Sequence, residues 1–317
     1  MKIQVTQGHE KGIGIEVFLK SCLMMSDADL SQLELNAFPE AIIQTLKSMR
    51  IPFEVSPNGL SFCHQFLKSN WIKKKSFSQS FSSLNTSLER VQDGGVLYTL
   101  PTSKDQFPGF PGHTEYFRSY FNLPDLGMYF SSPTLKVLLI SDHLPLKEVV
   151  NISEDLIYDR IKTALISLKH LNQLPGRVLV SGFNPHAGEG GLIGQEDERV
   201  GRAIKRLRNE FKIEMSGPIP GDTMVLEKKS PNDLFIYIYH DQGLGVFKSL
   251  QGFIGSNITL GLPFFRFSPD HGTSFGLFGK NMADYRGCSY SLKEALETLK
   301  RVSNGKNSSH QGQSSQP

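Results

Sequence analysis

The chain has 317 residues, 38% of them hydrophobic and 21% charged, with 34 Lys+Arg against 31 Asp+Glu for a formal charge of +3. That composition excludes bulk disorder, and so small a surplus of positive charge gives no footprint for nucleic acid. The length exceeds the usual single-core size and predicts two lobes around a cleft. No apolar run approaches the ~18–20 residues of a membrane span. The opening residues lack the apolar core of a signal peptide, and Cys22, Cys63 and Cys288 lie too far apart for a metal pair. A reducing cytoplasm is the expected compartment, with no membrane and no nucleic-acid partner.

Ile3-Gln4-Val5-Thr6 reads as a strand, and Gly8, Gly12 and Gly14 lead into a helix through Ile15, Val17 and Leu19. Residues 38–48 read as a helix with Ala41, Ile42 and Leu46 on one side. Residues 66–90, rich in Ser and Lys, read as loops with short elements, and Lys73-Lys74-Lys75 as a solvated surface. From there the pattern sharpens. The apolar runs at 96–100, 135–140, 177–181 and 234–239 suit buried parallel strands. Between them, residues 153–170 form a helix opened by Ser153, Glu154 and Asp155, and 195–211 a helix with acids early and arginines late. Ser291 and Glu294 form a capping box for a helix over 291–302. Residues 303–317 carry no apolar side chain and are expected to be a disordered tail. Strands alternating with helices give an α/β fold.

Chemistry gathers at the strand ends. His143, His186 and His240 follow three of the predicted strands, and His271 sits in Pro269-Asp270-His271-Gly272-Thr273. Ligands of parallel sheets bind at carboxyl ends of strands. Two readings stand side by side: the histidines share one divalent ion that polarises a hydroxyl, or each is a separate hydrogen-bonding residue. The glycines of Gly188-Glu189-Gly190-Gly191 either let the backbone approach a phosphate or cofactor, or form a tight strand-to-helix loop. Lys248, Asn257 and Arg266 are cationic and polar candidates, and Gly112-His113-Thr114-Glu115 precedes a helix whose start can hold an anion. Nucleophile-elbow, HExxH and Walker A motifs are absent.

Seven runs in order, GHTE at 112–115, HLPL at 143–146, NPHAGEGG at 184–191, GPIPGDT at 217–223, YHDQG at 239–243, NITLGLPF at 257–264 and PDHGT at 269–273, carry a resemblance to the 4-hydroxythreonine-4-phosphate dehydrogenase (PdxA) family. The resemblance covers about residues 95–302. It implies a two-lobed isocitrate/isopropylmalate dehydrogenase-like α/β fold with a central cleft: one lobe from 1–125 and 262–302, the other from 126–261. It implies NAD- or NADP-dependent oxidation of 4-phosphohydroxy-L-threonine at C3, then decarboxylation to 3-amino-2-oxopropyl phosphate, in vitamin B6 synthesis. It also implies a divalent metal (Zn, Mg, Mn or Co) and a homodimer with its active site at the interface. By motif position the metal ligands are His143, His186 and His240. The substrate ligands are His113, Thr114, Lys248, Asn257 and Arg266. Lys104 and Asp241 are catalytic candidates, and Asn184, Gly188, Glu189, Gly190, Gly191, Asp270 and His271 lie at the cofactor. Alternatives are a dehydrogenase of 4-phosphorylated D-threonate or D-erythronate, and a catalytically silent metal- or ligand-binding homologue. The family's opening GDPAGIGPE is here Gly8-His9-Glu10-Lys11-Gly12-Ile13-Gly14-Ile15-Glu16, and Gly276 stands where the family commonly has an acid.

Overall fold

A computed structural model describes residues 1–311, and their side chains as far as Ser303. The chain divides into two compact units, one of residues 1–121 and 263–317, the other of residues 122–262. The sequence places these boundaries at 125/126 and 261/262.

The first unit opens with strand β1 (Ile3–Thr6), helices α1 (Gly14–Cys22) and α2 (Asp27–Leu30), β2 (Leu33–Ala37) and α3 (Pro39–Met49). An antiparallel extension follows, β3 (Phe53–Ser56), β4 (Gly59–Phe62) and β5 (Gln65–Trp71), then α4 (Gln79–Leu88), β6 (Val96–Tyr98) and α5 (His113–Phe121). The second unit holds β7 (Gly127–Ser131), β8 (Lys136–Leu139), α6 (Leu146–Val149), α7 (Glu154–His170), β9 (Arg177–Ser181), α8 (Asp197–Glu210), β10 (Glu214–Ile219), β11 (Leu234–Tyr237), α9 (His240–Gln251) and β12 (Ser256–Leu260). The chain then returns to the first unit with β13 (Phe265–Pro269) and α10 (Arg286–Gln311).

Within the first unit the strand order is β13-β6-β1-β2-β5-β4-β3. The strands from β13 to β5 are parallel. Neighbouring residues of a strand point to opposite faces, and here the two faces differ in chemistry. Val5, Leu35 and Tyr98 share one register row, and the Tyr98 hydroxyl donates to the Cys288 carbonyl of α10. Gln4, Glu34 and Asn36 point the other way, toward α4, and are hydrogen-bonded to one another.

The second unit has the order β10-β9-β11-β8-β7-β12. Its strands β8, β9 and β11 are parallel and almost wholly buried, so helices must cover both faces. The helix α9 packs on β8 and β11, and α7 on β7 and β12. The Ser153 hydroxyl caps α7 by accepting from the Leu156 amide at 3.1 Å.

Several expectations are corrected here. Residues 66–90 are more regular than loops with short elements: they contain most of β5 and the ten-residue α4, whose buried residues are Ser80, Ser82, Ser83, Leu84 and Ser87 rather than an apolar stripe. The runs at 135–140, 177–181 and 234–239 do form buried parallel strands, and β7, which is not among the strands read from the sequence, pairs antiparallel with both β8 and β12. Ser291 does not cap a helix. The helix α10 begins five residues earlier, and the Ser291 hydroxyl donates to the Ser268 carbonyl at 3.1 Å. This helix also runs on to Gln311, nine residues past Val302, since each residue added to a formed helix gains a hydrogen bond. The rest of the expected tail, 312–317, lies outside the described residues. Among the described residues no helix is long and apolar enough to cross a membrane.

Candidate active site

In the first unit, the loops after β1, β6 and β13 are tied together by backbone bonds. The His9 amide donates to the Pro101 carbonyl at 2.9 Å, and the Ile13 amide to the Thr273 carbonyl at 2.9 Å. Gly8 permits this approach: its φ is +70°, and a Cβ there would stand 2.6 Å from the Pro101 oxygen. Lys104, Asp270 and His271 lie on these loops, Lys104 and His271 with exposed or half-exposed side chains. The Thr102 hydroxyl, two residues before Lys104, is buried without a hydrogen-bond partner among the described residues. A buried donor left this way is suited to receiving a bound group.

His113 is the first residue of α5, and Arg266 lies on β13. Arg266 is 5% exposed, and its Nε donates to the Thr99 hydroxyl at 2.9 Å. Burial lowers its pKa to about 10, which still leaves it cationic at neutral pH. Burial, and then the charge of Arg266, push His113 well below its ordinary value, so its imidazole is neutral. The Phe107 ring meets His113 edge-on at 4.9 Å between centroids, and Phe117 lies at 6.1 Å. Thr114 is buried on the same helical turn. A buried guanidinium beside a neutral imidazole and a helix start is a suitable holder for a phosphate.

In the second unit, β8 delivers His143 and β11 delivers His240, the first residue of α9. Their rings are 5.6 Å apart between centroids. The chain between β8 and His143 is anchored from below: the Ser141 hydroxyl donates to the Ile238 carbonyl at 2.7 Å, and Arg160 pairs with buried Asp142 at 3.4 Å. His240 Nδ1 lies 2.7 Å from Asp241 Oδ1. A carboxylate at that nitrogen favours the Nδ1–H tautomer and leaves Nε2 for a ligand. Asp241 is thereby placed as the partner of His240. Lys248 lies two turns further along α9, and Asn257 on β12 opposite Phe130.

The third histidine is held differently. Residues 186–191 all have positive φ, with His186 at +54°, Ala187 at +51° and Glu189 at +44°. This left-handed stretch is fastened by Asp197 at the start of α8, which accepts from the Phe183 amide at 2.6 Å and from the Asn184 side chain at 2.8 Å. Gly188 fits against that carboxylate, where a Cβ would meet the Gly194 oxygen at 2.7 Å and Asp197 Oδ2 at 2.9 Å. His186 is 69% exposed, with Nδ1 3.9 Å from Glu189 of its own loop. Among the described residues no group of three or more His, Cys, Asp and Glu is gathered for a metal, so the expected three-histidine cluster is not assembled. His143 and His240 fit as a pair. Two imidazoles at about 2.0–2.1 Å from one tetrahedral ion would bring their ring centres about 5 Å apart. The fastened loop holds His186 away from such a gathered set. Asn184, expected at the cofactor, has its amide engaged by Glu196 and Asp197 and shapes the loop.

Sequence reasoning missed Thr99, Phe107 and Asp197. Asp197 stood in a run read only as a dipole-matched helix start, and Phe107 and Thr99 act through packing that has no local signature.

The family model described as pyridoxal phosphate biosynthetic protein PdxA matches residues 17–298. The chain belongs to this family of oxidoreductases. Over 212 residues it is 42% identical to the 4-hydroxythreonine-4-phosphate dehydrogenase of Hydrogenobaculum sp. (strain Y04AAS1), covering 65% of each chain. Over 303 residues it is 31% identical to the putative D-threonate 4-phosphate dehydrogenase of Oceanobacillus iheyensis, covering 92% of this chain and 89% of the relative. The crystal structure of the 4-hydroxythreonine-4-phosphate dehydrogenase from Klebsiella pneumoniae superposes with a TM-score of 0.75 at 26% identity, over 94% of this chain and 99% of that one. The α/β architecture is that of the PdxA enzymes, which is isocitrate/isopropylmalate dehydrogenase-like.

Proposed function

We propose that this PdxA-family chain oxidises 4-phosphohydroxy-L-threonine at C3 with NAD or NADP and releases CO2 to give 3-amino-2-oxopropyl phosphate, in pyridoxal 5'-phosphate synthesis. The observation that carries the reading is Arg266, a buried cation beside neutral His113 in a chain matched to the family over residues 17–298. Arg266, His113 and Thr114 take the phosphate. Binding energy from that remote group positions the reacting carbon. His143 and His240 would hold a divalent ion, with His186 proposed as its third ligand, and Asp241 orients His240. When bound, such an ion would stabilise negative charge on the substrate oxygens. Lys104 accepts the proton of the C3 hydroxyl, and a bound nicotinamide would supply the hydride acceptor. Lys248 and Asn257 contact the substrate, and Gly188–Gly191 with the 270–271 loop face the cofactor. The protein is proposed to be cytoplasmic, with free thiols at Cys22, Cys63 and Cys288. It is also proposed to be a homodimer, which would cover Leu192, 87% exposed, and Leu226, 80% exposed.

Oxidation of D-threonate 4-phosphate is the second reading, favoured by the near full-length match to the Oceanobacillus iheyensis relative. The test is NAD(P)H formation by the metal-loaded protein with each substrate in turn. Turnover of the amino acid alone supports the first reading, turnover of the sugar acid alone the second, and turnover of neither refutes both. Arg266→Gln is expected to raise KM at least tenfold, and an unchanged KM would remove Arg266 from the phosphate site.

A further inference from the structure

The first unit contains a cavity that has no part in the chemistry above. It has a volume of about 670 Å³ and lies by the amino ends of β1 and β2 and along β5, whereas Gly8, Pro101 and Lys104 follow the carboxyl ends of β1 and β6. A second cavity of about 400 Å³ shares Lys2, Glu34, Lys68 and Arg90 with it and reaches Gly95, the residue before β6. The larger volume falls within the range of about 300–1,000 Å³ of small-molecule sites.

Its charges are arranged around one carboxylate. Glu34 Oε1 lies 3.2 Å from Lys68 Nζ and 3.6 Å from the Arg90 guanidinium, and Glu34 Oε2 accepts from Gln4 Nε2 at 3.3 Å. Gln4 is fixed in turn by Asn36, and Asn36 by Asn70, so the row across β1, β2 and β5 is held from end to end. Burial pushes Glu34 up, but the hydrogen bonds from Gln4 and Lys68 and the charges of Lys68 and Arg90 hold its carboxyl below the ordinary range. The carboxylate is almost buried, while the side chains of Lys68 and Arg90 remain 47% and 43% exposed. Glu34 thus acts as a template, bringing two cationic heads to within about 7 Å of each other while leaving them open to a ligand. Lys2 adds a third cation to the lining, which also holds Asp27. Phe66, 50% exposed, lines the same cavity, whose lining also holds Asn58 and Asn70.

We propose that this cavity is a binding site for a small phosphorylated compound carrying a planar ring, with the phosphate between Lys68, Arg90 and Lys2 and the ring against Phe66. A phosphate dianion offers three acceptor oxygens to three donors. The volume beyond it is too large for inorganic phosphate alone, and an exposed aromatic ring in a lining that also holds two amide side chains suits a flat, polar heterocycle. The ligand also has a route to the rest of the unit. Arg90 follows the last turn of α4, whose other end is bonded to the Gly8 and Gln106 carbonyls through Ser80 and Ser78.

The single tryptophan of the chain reports on this site. Trp71 Nε1 donates to the Ser56 carbonyl at 2.7 Å, next to Pro57 and Asn58 of the cavity lining. The full chain is titrated with AMP, inorganic phosphate and adenosine, following Trp71 emission and, in parallel, heat by calorimetry. AMP is expected to saturate, with inorganic phosphate and adenosine each at least tenfold weaker. Lys68→Gln and Arg90→Gln, at partly exposed positions, are each expected to weaken AMP at least tenfold. Phe66→Ala weakens AMP and leaves inorganic phosphate unchanged, and Lys248→Gln in the other unit leaves AMP unchanged. Absence of saturable AMP binding in both readouts overturns the proposal, as does AMP affinity unaltered by Lys68→Gln and Arg90→Gln.

Discussion

Two helices, α9 of the second unit and α4 of the first, meet their strands through opposite chemistries. In the second unit, Phe130, Val137, Leu139, Phe235, Tyr237 and Phe247 form one buried apolar cluster where α9 packs against β8 and β11. In the first unit, α4 meets β1 and β2 through hydroxyls and amides. Ser83 Oγ accepts from the Gln7 amide at 2.8 Å and donates to the Asn36 carbonyl at 2.6 Å, and Asn36 Nδ2 donates to Ser87 Oγ at 3.0 Å. An apolar contact is tolerant of direction and takes its strength from area removed from water. A hydrogen-bonded layer adds little net stability per bond, yet each partner lost leaves another group buried and unsatisfied. The first arrangement supplies stability, and the second fixes position: that of α4, and through Ser80 and Ser78 that of the loops bearing Gly8 and Gln106.

The largest expected effect lies in the apolar cluster. Phe235→Ala should destabilise the protein by about 3–5 kcal/mol, read from the midpoint of urea unfolding; a loss under 1 kcal/mol would show that this cluster does not carry the second unit. Asn36→Ala comes next, at about 1–3 kcal/mol, because it strands Gln4, Asn70 and Ser87 together. The comparison sharpens if Asn36→Ala is less costly when Ser87→Ala is already present, since both ends of one bond are then gone.

The third effect depends on pH. His113 is held neutral in the folded chain, whereas the unfolded chain takes up a proton near pH 6.5. Because the unfolded state then binds more protons, stability is full above about pH 6.5 and falls as pH drops below it, by up to about 1.4 kcal/mol per pH unit. His113→Gln should remove that slope, and an unchanged slope in urea titrations at several pH values would show that His113 is not its source. The smallest effect concerns the left-handed loop. Ala187→Gly should stabilise the second unit by about 1 kcal/mol or less, since φ +51° costs a side-chain-bearing residue about 1–2 kcal/mol and the added freedom of glycine in the unfolded chain offsets part of the gain. A clear drop in melting temperature would contradict the strain.

The same contrast explains what could be read in advance. Strands such as Arg177–Ser181 and the Ser153-capped helix α7 announce themselves through apolar runs and a cap. The helix α4 does not, because the residues at its buried spacing, Ser80, Ser83 and Ser87, carry the composition of a loop. The strand β7 was hidden by its short run behind Pro124 and Gly127, and α9 by Gly243 and Gly245. At the site, residue types at strand ends pointed to His143 and His240, which do come together. The handedness of the 186–191 backbone has no such signature, because three of its six residues are not glycine. Its fastening by Asp197 spans 14 residues to Phe183 and 13 to Asn184, beyond any local pattern.

That loop also bears on how the chain could be built. His186, Ala187 and Glu189 are L-residues held in the conformation natural to their mirror images. In a chain assembled by chemical ligation, D-alanine at position 187 would find its native backbone angles relaxed, and it would keep the restriction on the unfolded chain that glycine gives up. This segment is a place where inverted stereochemistry should be accepted, and a ribosome limited to L-residues reaches the shape by mixing in three glycines and fastening the stretch through Asp197.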